Sequence, residues 1–525
     1  MQFVSLPLEI QVMVIRRVSS IGDLAALSQS CRSIHRLCDM KTRERFYEIH
    51  VDPNDYSINK AFDLMMEILK NPKLGNYVRE IVQTRQPSME RHYVQTAEQR
   101  KLSADDRDLL CTAVRKAGFT GSQESAVLNM LMQNTTRPPG EITEPYRFPR
   151  SAYGRDEGQI HGTFIAQALA AILISVSPNL EFLAMTQPFK LFPGFYRGSE
   201  RPKDDEVHFP LHRLLRRANA KPASTPYLQN LREVYMIVDD RHSDDRYYMA
   251  IDFLECATLF DRLPSIESIS TDALCDDDEC EARVVLEPRS SNISRIHINH
   301  SALPTKFLVS LIQSCKVLRE VQYSIGGRCV LGGWFAPFDA KTFIKSICPH
   351  KDTLEVLDID AERNMHYFYP PNFDEDRVDQ EIDKREQRAS ESDDEHDDDE
   401  RQMLRSFSSN SGSLKEFRSL KRLSVGIGFL VYFAMGVREN NEPSQPFLLP
   451  EALPESLEYL CIRGYEKGKS KIWDAHIDAL VASFASGSLG IKEITGIEEI
   501  IPNSEDVDNP DDNEDLLWNS VYSID

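Results

Sequence analysis

The sequence runs to 525 residues, too many for one ordinary core, so several domains or one elongated repeat array are expected. A formal charge of −22 argues against a nucleic-acid partner, because phosphates would be repelled rather than neutralised. Ten dispersed cysteines do not make the framework of a small secreted domain, and Glu9 breaks the apolar start a signal peptide needs; a reducing compartment, cytoplasmic or nuclear, is expected.

The first element is a helix opened by Leu6-Pro7-Leu8-Glu9-Ile10 and running to about Val18. Pro7 suits the first helical position, and Glu9 sits in the first turn, where the exposed N–H groups favour a carboxylate. At 100° per residue, Ile10, Met13, Val14 and Val18 share one side, while Leu8, Val12 and Ile15 fall nearly opposite. Two apolar faces need two burial partners. Following helices supply one: Asp23 is expected to cap a helix bearing Leu24, Leu27 and Cys31, and Ile34, Leu37 and Cys38 form a third stripe.

The order of these residues resembles an F-box: L-P-x-E-I, then Val14 and Val18, then Leu24-x-x-Leu27-Ser28-x-x-Cys31-Arg32-x-Ile34-x-x-Leu37. The resemblance covers about the first forty residues. It implies docking onto the Skp-type adaptor of a cullin–RING ubiquitin ligase. Leu6, Pro7, Ile10, Val14, Leu24 and Leu27 match the motif's main apolar positions, and Leu8 and Ile15 join them as adaptor-binding candidates. The Trp that often closes the motif is absent, and Phe46 and Tyr47 stand in its place.

Downstream, the pattern of apolar, two others, apolar, one other, apolar keeps returning. It starts at Leu180, Leu231, Ile266, Ile293, Leu318, Leu354, Leu420 and Leu457, with a weaker last copy at Ile491. Several copies follow stretches read as amphipathic helices, Phe164–Val176, Phe307–Cys315 and Phe343–Ile347. The first of these, with Gln167 inside it, is shorter than the roughly 20 residues needed to span a bilayer, so no membrane partner is expected. Helix, turn and strand in this order resemble an irregular leucine-rich repeat, a unit that buries its faces only by stacking on neighbours. The Asn or Cys expected three residues past the last apolar position is replaced by Ser301, Gly326, Glu362 and Gly428. An ordinary α/β domain with leucine-rich strands is the alternative.

Residues 137–158 and 193–205 read as Pro- and Gly-rich excursions. The stretch 373–413, centred on Ser392-Asp393-Asp394-Glu395, is acidic and nearly free of apolar residues, so disorder is expected. Ser390 and Ser392 have acidic residues three positions on and are phosphorylation candidates. A second acidic run, 505–515, leads into Leu516-Leu517-Trp518, an apolar cluster suited to a C-terminal cap.

Two catalytic decoys remain. Gly464-Tyr465-Glu466-Lys467-Gly468-Lys469-Ser470 resembles a phosphate-binding loop but has three residues between its glycines where four are needed. Cys275 and Cys280, with His297 and His300 following, lack the paired spacing of a zinc site.

The expected fold is thus α/β: a three-helix F-box (1–45), an irregular leucine-rich-repeat-like solenoid (46–372 and 414–500), an acidic disordered insertion (373–413) and an acidic tail (501–525). Tyr47-x-Ile49-x-Val51 is its first strand. The resemblance implies a non-catalytic substrate receptor that bridges the adaptor, and through it cullin, to a protein substrate, with no cofactor or metal. His297, Asn299, Gln322, Ser324, Asp358, Asp360 and Arg463 alternate outward on the strands and are the substrate-contact candidates. The alternatives are a repeat scaffold outside any ligase, and a nucleotide-binding protein using Gly464–Ser470.

Overall fold

The computed structural model describes residues 3, 6–18, 21–84, 99–134, 157–189, 209–238, 248–275, 286–328, 338–362, 365, 413–436 and 448–504. The chain is mixed α/β and divides into two compact units, Met1–Tyr235 with Leu263–Ile266, and Met236–Arg262 with Glu267–Asp525. Among the described residues no helix is long and apolar enough to cross a membrane. The expected acidic insertion, both phosphorylation candidates, the excursions at 137–156 and 193–205, and the segment 505–525 lie outside the described residues.

The first unit opens with α1 (Leu8–Arg17), α2 (Ile21–Ser30), α3 (Arg32–Cys38) and α4 (Met40–Phe46), one helix more than expected. Asp39 takes a left-handed conformation, φ 46°, which ends α3 and starts α4 in a new direction. Pro7 precedes the helix as its N-cap rather than standing inside it. Asp23 is likewise displaced, because α2 begins at Ile21; its carboxylate lies in the first turn instead of capping. Ile15, Leu24, Ile34 and Cys38 form the buried centre of this helical cluster, with Val18, Leu27, Cys31 and Leu37 packed against it. Phe46 is buried where the closing aromatic was expected.

The chain then builds β1 (Glu48–His50), α5 (Asp55–Lys70), β2 (Glu80–Gln83), α6 (Ala104–Lys116), α7 (Ser122–Met132), α8 (Glu157–Ser175), β3 (Phe182–Thr186), α9 (Pro210–Ala220) and β4 (Glu233–Ile237). The strands lie in that order, and β1, β2 and β3 are parallel, with Ile49, Ile81 and Leu183 in register. Asn54 caps α5, its side chain accepting the Ser57 N–H at 2.8 Å. In α8 every residue from Phe164 to Ile174 is buried, Gln167 included, so this part of the helix is enclosed all round and not amphipathic.

The second unit holds β5 (Met249–Ala250), α10 (Phe253–Ala257), β6 (Ser268–Asp272), β7 (Leu274–Cys275), β8 (Arg295–Asn299), α11 (Thr305–Ser314), β9 (Glu320–Ser324), α12 (Ala340–Ile347) and β10 (Val356–Asp360). It continues with β11 (Arg422–Gly426), α13 (Ile427–Met435), α14 (Leu449–Ala452), β12 (Tyr459–Arg463), α15 (Lys471–Ala485) and β13 (Glu493–Thr495). Its large sheet is parallel, ordered β6-β8-β9-β10-β11-β12-β13, while β5 and β7 pair separately. Each recurring apolar motif of the sequence yields one strand beginning two residues after the motif's first apolar residue, from Leu180 and Phe182 to Ile491 and Glu493. Residues of one motif position therefore align across neighbours: Val321, Leu357, Leu423, Leu460 and Ile494 share a row.

One face of this sheet is buried through alternate residues, Ile296, Ile298, Val321, Tyr323, Leu357, Ile359, Leu423 and Val425. Behind it runs a chain of rings. Tyr323 stacks on Phe338 at 5.9 Å, Phe338 meets Phe343 at 5.2 Å, and Phe343 meets Phe429 at 6.3 Å, tying α12 to α13. Each such fully buried aromatic contributes roughly 1.5–3 kcal/mol. At the entrance of the strands stands a row of alternating charge: Arg319, Glu355, Lys421, Glu458 and Lys492, each one residue before its strand. Glu355 pairs with Arg319 at 3.0 Å and with Lys421 at 2.8 Å, and Glu458 with Lys492 at 2.6 Å.

Candidate functional site

Two surfaces carry the residues singled out in the sequence. Gln11 and Ile15 of α1 face inward, and Val18, just past its end, packs on the same core, although spacing grouped Val18 with Ile10, Met13 and Val14, and the exposed Leu8 with Ile15. Gln11 can be buried because its amide donates to the Leu6 carbonyl at 2.7 Å, which satisfies a polar group the interior would otherwise penalise. Outward stand Leu8 (58% exposed), Ile10 (41%), Met13 (61%) and Val14 (41%). Pro7 is exposed beside them and Leu6 half-buried; the Val12 side chain lies outside the described set. Of the remaining adaptor-binding candidates, Ile15 and Leu24 are enclosed and Leu27 half-buried, so they hold the helices together. Met13 shares the exposed side with Ile10 and Val14, as the helical spacing predicts, although it is not among the site candidates.

The second surface is the polar face of the second unit's sheet. His297, Gln322 and Asp358 lie in one register row with Ser424 and Cys461. The next row holds Ser324, opposite Asp360, and then Gly426 opposite Arg463. Much of this face is tied to itself. The Arg463 guanidinium bonds Asp358 at 2.9 Å and lies 3.4 Å from Asp360. Asp360 also accepts the Ser504 N–H at 3.0 Å and hydroxyl at 2.6 Å. Burial nevertheless outweighs these partners and raises the Asp360 carboxyl above its ordinary range. Glu320 accepts from Gln322 at 2.8 Å and lies 3.3 Å from His297, whose hydrogen bond holds its carboxyl below the usual value. The Ser324 hydroxyl accepts the His300 N–H at 2.8 Å. Asn299 is half-buried at the end of β8.

Arg422, outside the sequence-predicted set, is exposed on the same face and stacks over the Tyr459 ring at 5.0 Å. Its position in the strand alternation was the available signal. Two of the residues that stand where Asn was expected, Ser301 and Glu362, are hydrogen-bonded to backbone groups. Ser301 accepts the Leu274 N–H at 3.0 Å and donates to the Asn299 carbonyl at 2.7 Å. Glu362 accepts the Gly428 and Phe429 N–H groups at 2.8 and 3.2 Å, capping α13. Burial raises its carboxyl to about 7. Gly426 makes room for it: a Cβ there would stand 2.1 Å from the Glu362 Oε2.

The decoy loop is filled by its own chain. Asp474 of α15 accepts the Gly468 N–H at 3.1 Å and the Tyr465 hydroxyl at 2.9 Å. Lys469 is paired with Glu466. Burial, then the Asp474 bond, pushes the Tyr465 hydroxyl up to about 12. Cys275 lies in β7 and Cys280 outside the described residues; among the described residues no group of three or more His, Cys, Asp or Glu is placed to hold a metal. No family model matches the chain, and no curated protein matches it.

Proposed function

We propose that this chain is the substrate-recognition subunit of a Skp–cullin–F-box ubiquitin ligase, with an F-box over 1–45 and a leucine-rich-repeat-like body behind it. The observation that carries the reading is the outward face of α1. Leu8, Ile10, Met13 and Val14 are exposed although the helix already has an inner stripe buried against α2 and α3. An apolar strip of this kind is what a partner protein covers, and each Leu or Ile buried there is worth roughly 1.5–3 kcal/mol. The order of motif residues in the first forty positions names that partner as a Skp-type adaptor, and through it cullin. The polar face of the second unit's sheet, including His297, Asn299, Gln322, Ser324, Asp358, Asp360 and Arg463, offers the protein substrate a surface fixed in advance by its own ion pairs. The chain performs no bond chemistry in this role; it raises the local concentration of substrate beside the charged enzyme.

Purification of the tagged chain from cells, with mass spectrometry for adaptor and cullin, tests the proposal. Adaptor and cullin are expected with the wild-type chain and lost from Leu8→Asp/Ile10→Asp/Val14→Asp. Retention of the adaptor by that triple variant, or its absence from the wild type, overturns the reading in favour of a repeat scaffold. The nucleotide-binding alternative gains nothing from the geometry, since Asp474 and Glu466 hold the Gly468 N–H and Lys469.

A further inference from the structure

The polar face of the second unit's sheet is not evenly open. Along β11 and β12 it closes, with Ser424 8% and Cys461 6% exposed, and Asp360 at the end of β10 is 4% exposed. The row that opens the strands is different. Glu320, Val356, Arg422, Tyr459 and Glu493 lie in register from β9 to β13. Arg422 and Glu493 are exposed, and Val356 and Tyr459 half-buried.

Charge along this row is used unevenly. Glu320 already lies beside Arg295 and His297. Arg422 stacks over the Tyr459 ring at 5.0 Å, and among the described residues neither its guanidinium nor the Glu493 carboxylate has an ion-pair partner. A guanidinium held flat on a ring and not yet paired keeps its fork of donors for an incoming carboxylate. Arg and Tyr are also the side chains that most often dominate the energy of protein interfaces.

We infer that the substrate is held on this entrance row, with an acidic side chain on Arg422, a basic one on Glu493 and an uncharged one between them over Tyr459. Arg422 and Glu493 stand two strands apart, about 10 Å. An extended segment crossing the strands covers that distance in about three residues. The substrate class is therefore a protein segment with Asp or Glu about three residues from Lys or Arg. Contact shifts from Asp358, Asp360 and Arg463, which hold one another, to Arg422, Tyr459 and Glu493. The inference rests on reading the chain as a substrate receptor, but the adaptor-binding face of α1 does not enter it.

The test selects a phage-displayed library of random peptides on the immobilised full chain. Enriched peptides are expected to carry the acid and base at that spacing. Arg422→Glu is expected to abolish enrichment of Asp and Glu, and Glu493→Arg that of Lys and Arg. A selected peptide is expected to bind Arg422→Gln about tenfold more weakly than the wild type. The substituted positions are exposed, and an unchanged urea midpoint reports that each variant is folded. Peptides lacking the pair, no enrichment at all, or the same enrichment on both charge-reversed variants overturns the inference. Adaptor co-purification is read separately, so failure of the ligase reading and failure of this inference are distinguished.

Discussion

The Arg463 guanidinium on β12 reaches over the intervening strand β11 to the Asp358 carboxylate on β10, 2.9 Å away. Its own register partner on β11 is Gly426, which has no side chain to stand in the path. Asp360 shares the same guanidinium and is almost wholly enclosed. Removing the cation while leaving that carboxylate in place is costly, because an enclosed charge then has only the Ser504 bonds to hold it. Arg463→Ala is expected to destabilise the chain by about 3 kcal/mol. The urea midpoint measures it, and Asp360→Asn on the same background is expected to recover part of the loss.

Glu362 gives a pH dependence of definite sign. Its folded value, about 7, lies above the ordinary 4.5, so the folded state prefers the neutral carboxyl. The stability it contributes is fully present below about pH 4.5 and is lost as pH rises through about 7. Glu362→Gln, which keeps an acceptor for one N–H of α13, is expected to flatten the stability profile over that interval and to raise stability near neutrality. Melting temperatures of both proteins from pH 4 to pH 8 check this.

The two sides of α1 are expected to separate cleanly. Leu8→Ser, Met13→Ser and Val14→Ser change exposed positions and are expected to alter stability by less than about 0.5 kcal/mol. Ile15→Ala opens the cluster with Leu24, Ile34 and Cys38 and is expected to cost about 2–5 kcal/mol. Denaturant titration of the four variants distinguishes them, and an equal loss for all would contradict the packing described.

At the turn before α15, Asp474→Asn removes the carboxylate that binds Tyr465 and Gly468. The Tyr465 hydroxyl, held up at about 12 chiefly by burial and next by that bond, is expected to titrate lower in the variant. Ultraviolet titration at alkaline pH reads the shift as one tyrosine moving relative to the rest. Ser470→Ala, which removes the N-cap of the same helix, is expected to cost about 1 kcal/mol without moving Tyr465.

The strands were legible because the core-facing side of the sheet takes alternate residues, and the apolar motif records that alternation at each copy. β2 escaped for a physical reason. Its third inward position is Gln83, a fully buried glutamine whose amide oxygen accepts the Thr186 hydroxyl at 3.1 Å, so the apolar pattern fails where a core hydrogen bond replaces it. On α1 the helical spacing separated two faces but could not tell that a glutamine would turn inward, where its amide donates to the Leu6 carbonyl. The candidate substrate residues were found by alternation, yet their mutual pairing was hidden. The contact between Arg463 and Asp358 depends on the relative offset of two strands more than a hundred residues apart, which no local pattern encodes.

In the row Arg319, Glu355, Lys421, Glu458, Lys492, charges of opposite sign alternate across the five successive strands β9 to β13. Excising the unit that contributes Lys421 would bring two acidic groups, Glu355 and Glu458, side by side, and like charges on neighbouring strands repel. Excising two consecutive units would restore opposite neighbours. Over β9 to β13 the charged fringe therefore favours the observed order of strands over one with a single strand removed.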